Sequence, residues 1–559
     1  DRAAWESAGG GWAGGTLRGL ESKIGYLARM NVTAIWVSPI FKQVSFKDTY
    51  HGYGVQNFLD VDPHFGTTED LGRMVTVAHE HGIRVILDII LNHTGDVFAY
   101  DADRYAAERD GAAFFDPRWD GRPYRVQGFR DAAGAPALAF APVDLGRDPA
   151  AWPDGAIWPA EFQDPATFSQ RGRIDSWDWD PEFLEGDFMD LKNVAHGRRA
   201  LDGEGRERAG DYAPAAALGH LVDVFSWWIA FTDVDGFRID TVKHMDLGAS
   251  RIFAAAIHEF AESIGKENFL LVGEITGGRD RAYRTLEETG IDAALGIDDI
   301  PDKLEYLVKG YRDPHEYFDL FRNSLLVNKD SHTWFKDKVV TLYDDHDQVR
   351  KGNDKARFCA DALGRRLALN ALFLNALTLG IPCIYYGSEQ RFDGAGANDR
   401  FIREAMFGGA FGPFRSRERH CFDEDQPLYG ELAKILDLRR QRIELRRGRQ
   451  YLREISGDGV DFGLPRMIGG VMRSVVAWSR IHVDRETLLA ISTDPDAARS
   501  AWVTIDADLN PAGSTLECVY SSDPDQVGEP LEASGEGRRI VRVTVPAGGC
   551  VAFARRSGG

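Results

Sequence analysis

The sequence predicts an α/β protein built on a parallel β-sheet, followed by a smaller antiparallel β region. Short apolar runs alternate with amphipathic stretches up to about residue 440, and this alternation is typical of parallel sheets. The runs are apolar almost throughout, as expected of strands that helices cover on both faces. Acidic residues follow several of the runs, at the end of the strand where such proteins carry functional groups.

Seven runs are predicted to form the parallel strands, and amphipathic stretches separate most of them. The strand candidates are 34–40, 84–91, 235–240, 269–275, 292–297, 338–344 and 382–387. The clearest helix candidates are 17–29, 69–81, 216–231, 249–264 and 356–379. Thr67-Thr-Glu-Asp70 is typical of a helix start, and Gly82 of the matching end. The order implies a sheet that is either closed or doubly wound.

Two regions depart from this alternation. About 120 residues separate His93 from the helix near 216, whereas a connection of this kind usually has roughly two to six. After about residue 440, short alternating runs at 473–480, 487–493, 500–505 and 539–546 replace the helices and predict an antiparallel β domain. We therefore predict four segments, which are the first part of the α/β domain at 1–93, an inserted subdomain at 94–195, the second part at 196–440 and the β domain at 441–559.

Composition excludes two classes of partner. The net charge of −21 over 559 residues argues against nucleic acid, which needs a basic face. No run of about 18 apolar residues occurs, so we expect a soluble chain without a membrane span. The five cysteines lack metal-type spacing, and Cys518 and Cys550 could pair or stay free, so the compartment is left open. The oligomeric state is left open as well.

Four stretches place acidic residues, with His or Arg, at the ends of predicted strands. They are Asp88-Ile-Ile-Leu-Asn-His93, Gly236-Phe-Arg-Ile-Asp240, Val272-Gly-Glu274 and Tyr343-Asp-Asp-His-Asp347. In an α/β barrel, catalytic groups sit at this end of the strands. Three carboxylates from three separate strands, without a His/Cys metal cluster, are the equipment for breaking a glycosidic bond.

In this order, the four stretches resemble the conserved regions of the α-amylase family of glycoside hydrolases. The resemblance covers nearly the whole chain and weakens in 95–185 and after about 440. It implies a (β/α)8 TIM barrel with an inserted subdomain after the third strand and a C-terminal antiparallel β-sandwich. Since such a barrel has eight strands and the family's first strand precedes an Asp-Arg pair like Asp1-Arg2, we expect that strand upstream of residue 1. We therefore expect a truncated N-terminus, which leaves the question of a signal peptide open.

The resemblance assigns retaining hydrolysis to three carboxylates. Asp240 would be the nucleophile, Glu274 the general acid and later the base, and Asp347 the residue that stabilises the oxocarbenium-like state. Arg238 and Asp240 lie two residues apart on one strand and so share a face, which should lower the pKa of Asp240. Glu274 ends an apolar run near a second carboxylate, which should raise its pKa, as a general acid requires.

Six further residues are expected to bind the substrate. His93 and His346 resemble family histidines that contact one sugar ring, and Tyr53 resembles an aromatic residue that stacks on sugar. Lys243 and His244, just after the nucleophile, resemble the pair found in enzymes that act on α-1,4 glucans. The predicted substrate-binding residues are Tyr53, His93, Arg238, Lys243, His244 and His346.

A structural calcium ion is left open by the sequence, and no organic cofactor is expected. Asn92 resembles a family residue that often binds calcium. The backbone carbonyl of His244 would be a second ligand at that site. Lys192 stands where the family often has an oxygen ligand. An ammonium group cannot bind calcium and could instead replace it electrostatically.

The residues together imply a retaining hydrolase of α-1,4-linked glucans or maltooligosaccharides that works through a covalent glycosyl-enzyme intermediate. An oligosaccharide or polysaccharide is the expected partner. Three alternatives remain: a transglycosylase such as a glucanotransferase or cyclising enzyme, a glucosidase specific for α-1,6 linkages or disaccharides, and an inactive carbohydrate-binding scaffold. The intact set of Asp240, Glu274 and Asp347 argues against the scaffold.

Overall fold

The computed structural model describes most of the chain, divided into two units. The described residues are 11–12, 14–47, 49–101, 107–109, 112–114, 116–144, 146, 152, 156–297, 299–322, 336–407 and 420–555. The N-terminal unit contains the described residues up to Ala28 together with Thr33–Gly296. The C-terminal unit contains Arg29–Val32 and the residues from Ile297 onward. The four predicted segments remain a prediction.

A five-stranded parallel sheet lies at the centre of the N-terminal unit. Its strands, in spatial order, are β1 (Ala34–Val37), β2 (Arg84–Ile89), β3 (Gly236–Ile239), β4 (Leu270–Glu274) and β5 (Ala293–Leu295). Every neighbouring pair is parallel, which confirms the first five predicted strands. The helices of this region are Leu17–Glu21, Ile24–Arg29, Thr68–Glu80, Ala216–Thr232, Leu247–Ser263 and Arg279–Thr289.

The helix Thr68–Glu80 shows why these residues form helices. Thr67 accepts a hydrogen bond from the backbone N–H of Asp70, and the Asp70 side chain accepts one from the N–H of Thr67. This reciprocal capping box satisfies two N–H groups that the first turn leaves without partners. The helix ends at the predicted place, before Gly82 with a φ of +73°. The buried side chains follow a helical spacing and are Asp70, Leu71, Met74, Val75 and Ala78.

The long connection, residues 95–215, joins β2 to Ala216–Thr232 with little regular structure. Its described secondary structure consists of short pieces: strands Phe98–Tyr100, Ala107–Arg109, Ala112–Phe114, Val126–Phe129, Lys192–Asn193, Gly197–Arg198 and Ala213–Pro214, and helical turns Ala160–Gln163, Pro165–Thr167, Glu182–Glu185 and Ala209–Asp211. Aromatic rings form much of its core, with Phe98 edge-on to Phe140 and Phe168 at 5.3 and 5.1 Å. Whether the connection is a separate subdomain remains a prediction.

The C-terminal unit contains two more parallel strands, β6 (Val340–Thr341) and β7 (Ile381–Pro382), which pair with each other. The described residues thus contain seven parallel strands at the seven predicted places, and the upstream eighth strand stays a prediction. Strand β7 is much shorter than the predicted 382–387, and the chain turns at Gly387, with a φ of +80°. The helices here are Asp299–Lys309, Pro314–Phe318, Ala362–Leu377, Pro427–Gln441 and Ile443–Arg447.

The predicted antiparallel β region is confirmed as two sheets in the C-terminal unit. One sheet has six strands, in the order Arg449–Leu452, Val475–His482, Arg485–Ser492, Cys550–Arg555, Thr515–Ser521 and Pro530–Glu532. The other has three: Ile455–Ser456, Arg499–Thr504 and Ile540–Val545. Side chains from both sheets form one core that includes Leu488, Val503, Val541 and Phe553, which makes this a β-sandwich. All five cysteines are free.

None of the helices in the described ranges has the length and apolar character that crossing a membrane requires.

Candidate active site

The candidate catalytic residues of the N-terminal unit, Asp240 and Glu274, lie at the ends of two neighbouring strands. Asp240 directly follows β3, and Glu274 is the last residue of β4. Asp88 in β2 and Arg238 in β3 lie beside them. In the sheet register, Arg238 stands beside Asp88 on one side and Val272 on the other. Because the strands are parallel, their carboxyl ends share one edge, and this edge is where α/β proteins assemble active sites.

One guanidinium group joins the carboxylates. Arg238 is only 2% exposed, and its Nη1 donates to Asp88 Oδ1 at 2.9 Å and to Asp240 Oδ1 at 2.7 Å. Its Nη2 donates to Glu274 Oε2 at 2.7 Å. Asp240 and Glu274 therefore accept from the two terminal nitrogens of the same guanidinium group. The structure therefore brings together the two residues to which the sequence assigns the bond-breaking chemistry.

The electrostatics of this cluster correct one expectation. Burial raises the pKa of Asp240 above its ordinary value, and although Arg238 lowers it, the charge of Asp88 raises it further. The lowering by Arg238 that the sequence predicts is present, but burial and the charge of Asp88 outweigh it, so the pKa of Asp240 lies above its ordinary value. Two carboxyl groups held close together share one proton more readily than they carry two charges. The cluster thus suits a pair that contains one acid and one base.

Two aromatic residues, Trp36 and Tyr53, lie beside Asp88 and Arg238. Tyr53 Oη donates to Asp88 Oδ2 at 3.3 Å, and Trp36 Nε1 donates to the same oxygen at 3.0 Å. The guanidinium carbon of Arg238 lies 5.1 Å from the Trp36 ring and 6.0 Å from the Tyr53 ring. The site contains the predicted Tyr53. Sequence reasoning missed Trp36, although an aromatic residue at the end of an apolar strand was a usable signal.

His93 is a buried and neutral imidazole. It is 1% exposed, and its ring stacks on Phe188 with centroids 5.8 Å apart. Burial, together with the nearby His244 and His51, lowers the pKa of His93 to about 3. Among the described residues, its Nε2 has no hydrogen-bond partner. A neutral ring nitrogen of this kind can bind a sugar hydroxyl.

The loop after β3 links the catalytic strand to the long connection. Lys243 Nζ contacts Asp178 Oδ1 at 2.9 Å, and its side chain is 7% exposed, so it is not a solvated surface charge. His244 Nδ1 donates to the Phe183 carbonyl at 2.8 Å, and burial lowers the pKa of His244 to about 4. Its ring also lies 5.7 Å from Trp177. Both predicted residues therefore anchor part of the long connection beside the catalytic strand.

The third carboxylate belongs to the C-terminal unit, after strand β6. Asp347 Oδ2 contacts His346 Nε2 at 3.0 Å, and Asp347 Oδ1 accepts from Arg403 Nη2 at 2.5 Å. Arg403 Nε also donates to the His346 carbonyl at 3.0 Å. The predicted pair Asp347 and His346 is thus held by Arg403, which sequence reasoning missed because it lies 56 residues further along the chain.

A calcium ion at Asn92 was tested against the residues around it. The amide oxygen of Asn92 is buried and has no partner among the described residues, as a metal ligand would. However, the nearby Asp96 already contacts three cationic side chains, those of Lys47, Arg130 and Lys192. Within the described ranges, no group of three His, Cys, Asp or Glu side chains could hold a metal. Calcium takes roughly six to eight oxygen ligands, and these residues do not fit that requirement.

Comparison with known proteins decides the family. The description "Alpha amylase, catalytic domain" matches residues 3–426 of the chain. The chain belongs to the alpha-amylase family. This membership agrees with the order of the four acidic stretches and with the placement of Asp240 and Glu274 at the ends of adjacent parallel strands.

Similarity to individual proteins agrees with this result. The chain is 28% identical to an alpha-amylase of Streptomyces lividans over 96% of its own length and 56% of that protein. It is 24% identical to a cyclomaltodextrin glucanotransferase of Klebsiella oxytoca, over 78% of this chain and 60% of that protein. The chain therefore spans little more than half the length of these relatives.

A solved structure supports the fold. The alpha-amylase of Geobacillus thermoleovorans, crystallised with acarbose, matches with a TM-score of 0.64 at 21% identity, covering 99% of this chain and 94% of that one. This likeness shows the alpha-amylase family fold, in which a (β/α)8 barrel is followed by a C-terminal β domain.

Proposed function

We propose that the protein is a retaining glycoside hydrolase that acts on α-1,4-linked glucans or maltooligosaccharides. The observation that carries this proposal is the buried cluster in which Arg238 joins Asp240 to Glu274. Retaining enzymes keep their two carboxyl groups about 5 Å apart, whereas inverting enzymes leave room for a water between them. Asp240 and Glu274 accept from the two terminal nitrogens of one guanidinium group, and this close placement favours the retaining geometry.

The proposed reaction has two steps. In the first, an Asp240 oxygen bonds to the anomeric carbon while the glycosidic bond breaks, and Glu274 gives its proton to the leaving oxygen. In the second, Glu274 takes a proton from water, whose oxygen displaces Asp240 and releases the sugar. Arg238 keeps both carboxyl groups in place, and Asp347 would bind sugar hydroxyls. Neutral His93 would accept or donate a hydrogen bond to a hydroxyl of the sugar that Asp240 attacks.

Transglycosylation is a second candidate, supported by one feature of the long connection. Trp177 and Trp179 are 41% and 64% exposed, and Trp177 packs edge-on against Phe188 at 4.7 Å, close to His244. Exposed aromatic rings offer apolar area to the C–H faces of sugars. An acceptor sugar held there in place of water would turn hydrolysis into transfer. The glucanotransferase relative from Klebsiella oxytoca supports the same reading.

The test is product analysis by chromatography after incubation with maltoheptaose. We expect shorter maltooligosaccharides from the native protein and no turnover from Asp240→Asn. The matched control is Asp223→Asn, which makes the same chemical change on an exposed face of the helix Ala216–Thr232 and should leave activity intact.

Each outcome of this test has a distinct meaning. Products longer than the substrate, or cyclic products, would favour the transglycosylase. Activity retained in Asp240→Asn would refute the assignment of the nucleophile. If the native protein forms no products from maltoheptaose, action on α-1,4 glucans is refuted. The remaining alternatives would then be α-1,6-linked or disaccharide substrates, or an inactive binding scaffold.

A further inference from the structure

Lys192 is a fully buried lysine that the proposed reaction does not use. It lies in the strand Lys192–Asn193, which pairs antiparallel with His93–Thr94 just beyond the end of β2. Its side chain is 0% exposed. A buried charge is costly unless several partners compensate it, so the surroundings of this ammonium group indicate its role.

The ammonium group lies between acidic and aromatic side chains. Its Nζ contacts Asp116 Oδ2 at 2.6 Å and Asp96 Oδ1 at 3.1 Å. It also lies 5.1 Å from the ring centroids of both Phe98 and Tyr100, a distance at which a ring face attracts a cation. The surroundings of the Lys192 ammonium group thus combine carboxylates with aromatic ring faces, and both attract a cation.

A third carboxylate belongs to the same cluster. Asp187 is 0% exposed, accepts from Tyr100 Oη at 2.6 Å and from the backbone N–H of Asn193 at 2.9 Å. Burial would lower the pKa of Lys192, but the charges of Asp96, Asp116 and Asp187 outweigh it and raise that pKa above its ordinary value. The charged form of Lys192 is therefore favoured by the carboxylates around it.

The cluster fixes the backbone beside the candidate active site. Asp96 follows His93 by three residues, and Asp187 accepts from the residue that pairs with His93 in the two-stranded ladder. The Lys192 side chain, in the later part of the long connection, thus binds Asp96 and Asp116 in its early part. Cross-linking separate parts of an irregular segment is what a structural metal ion commonly does.

We infer that the buried ammonium group of Lys192 takes the place of a structural divalent cation in the long connection, which therefore folds and holds His93 without metal. The charge balance supports this, because Lys47 and Arg130 also contact Asp96. A calcium ion placed among these groups would face three cations and would have to displace Lys192 from its carboxylates. The inference concerns stability and does not depend on the proposed reaction.

The first test is thermal unfolding of the native protein in EDTA and in calcium chloride, followed by circular dichroism. We expect the same melting temperature in both, because the native partners of the carboxylates are side chains. A melting temperature that falls in EDTA and recovers on addition of calcium chloride would overturn the inference. This measurement needs no variant and therefore cannot fail through misfolding of one.

The second test is Lys192→Met, which keeps the apolar stem and removes the charge. We expect a loss of several degrees in melting temperature, since Asp96 and Asp116 lose a buried partner. The matched control is Lys47→Met, which removes another ammonium group from Asp96 but at a side chain that is 37% exposed. A clearly smaller loss is expected there. Equal melting temperatures for Lys192→Met and the native protein would overturn the inference.

Discussion

At the scale of single residues, the site is governed by the ratio of one guanidinium group to three carboxylates. Arg238 donates to Asp88, Asp240 and Glu274 from its two terminal nitrogens. A planar fork can hold three acceptors at fixed angles, whereas an ammonium group acts as a point charge. The geometry of the acid and the nucleophile therefore depends on the shape of the cation as well as on its charge.

Replacing Arg238 with lysine tests this dependence. Arg238→Lys keeps the charge but loses the fork, and we expect kcat/KM on maltoheptaose to fall roughly 100-fold or more, as when one preorganised donor is removed from an active site. The control is Arg84→Lys, whose side chain is 69% exposed and forms a single ion pair with Asp235. That change should leave the rate unaltered. A native rate in Arg238→Lys would show that charge alone suffices.

At the scale of elements, the sequence predicts the positions of strands and helices better than it predicts their ends. Continuous apolar runs marked β2 to β5, whose residues are mostly buried, because both faces of a parallel strand are covered. The run of β1 is apolar as well, although its residues are exposed or half-buried. The helix predicted at 356–379 begins only at Ala362, where Asp361 accepts a hydrogen bond from the N–H of Gly364. Strand Cys550–Arg555 was missed because its residues are buried on both faces, so it lacks the alternation that identified its neighbours.

In the candidate site too, local sequence patterns predict some features, and others depend on the folded chain. Asp240 and Glu274 were predictable because each ends an apolar strand. The hydrogen bond from Arg403 to Asp347 was not predictable, because the two residues lie 56 positions apart and no local pattern relates them. The raised pKa of Asp240 depends on burial and on Asp88, which are properties of the folded chain.

The helix Thr68–Glu80 allows a test at the element scale. Thr67→Ala removes the acceptor for the Asp70 N–H, and losing such a cap costs about 1 kcal/mol. We expect a lower melting temperature for Thr67→Ala. Thr67→Ser keeps the hydroxyl and should melt like the native protein. Equal stability of all three proteins would mean that the capping box does not contribute.

At the scale of the whole molecule, buried histidines link stability to pH. Burial lowers the pKa of His196 to about 4, and its Nε2 donates to the Leu91 carbonyl at 2.9 Å. In the unfolded chain, histidine takes up a proton near pH 6.5. Between about pH 6.5 and 4 the unfolded state therefore binds more protons than the folded state, and stability falls as the pH falls.

A difference measurement isolates this residue. The melting temperatures of the native protein and of His196→Gln are compared from pH 7 to pH 4. We expect the melting temperature of the native protein to fall more than that of the variant as the pH falls below about 6.5. The reason is that only the protein with His196 takes up a proton at this position on unfolding. A difference that stays constant over this range would mean that folding does not shift the pKa of His196.

The arginine of the β-sandwich has a consequence for the architecture of the C-terminal unit. Arg480, 1% exposed, donates to the carbonyls of Leu377 and Thr378 at 3.0 and 2.7 Å, at the end of the helix Ala362–Leu377. That helix also packs Phe373 against Trp478 and Tyr520. The last turn of a catalytic-domain helix is therefore completed by the sandwich. A shortened chain, cut before residue 449, would expose those carbonyls and an aromatic face together, so the β-sandwich cannot be removed from the C-terminal unit without uncovering this helix.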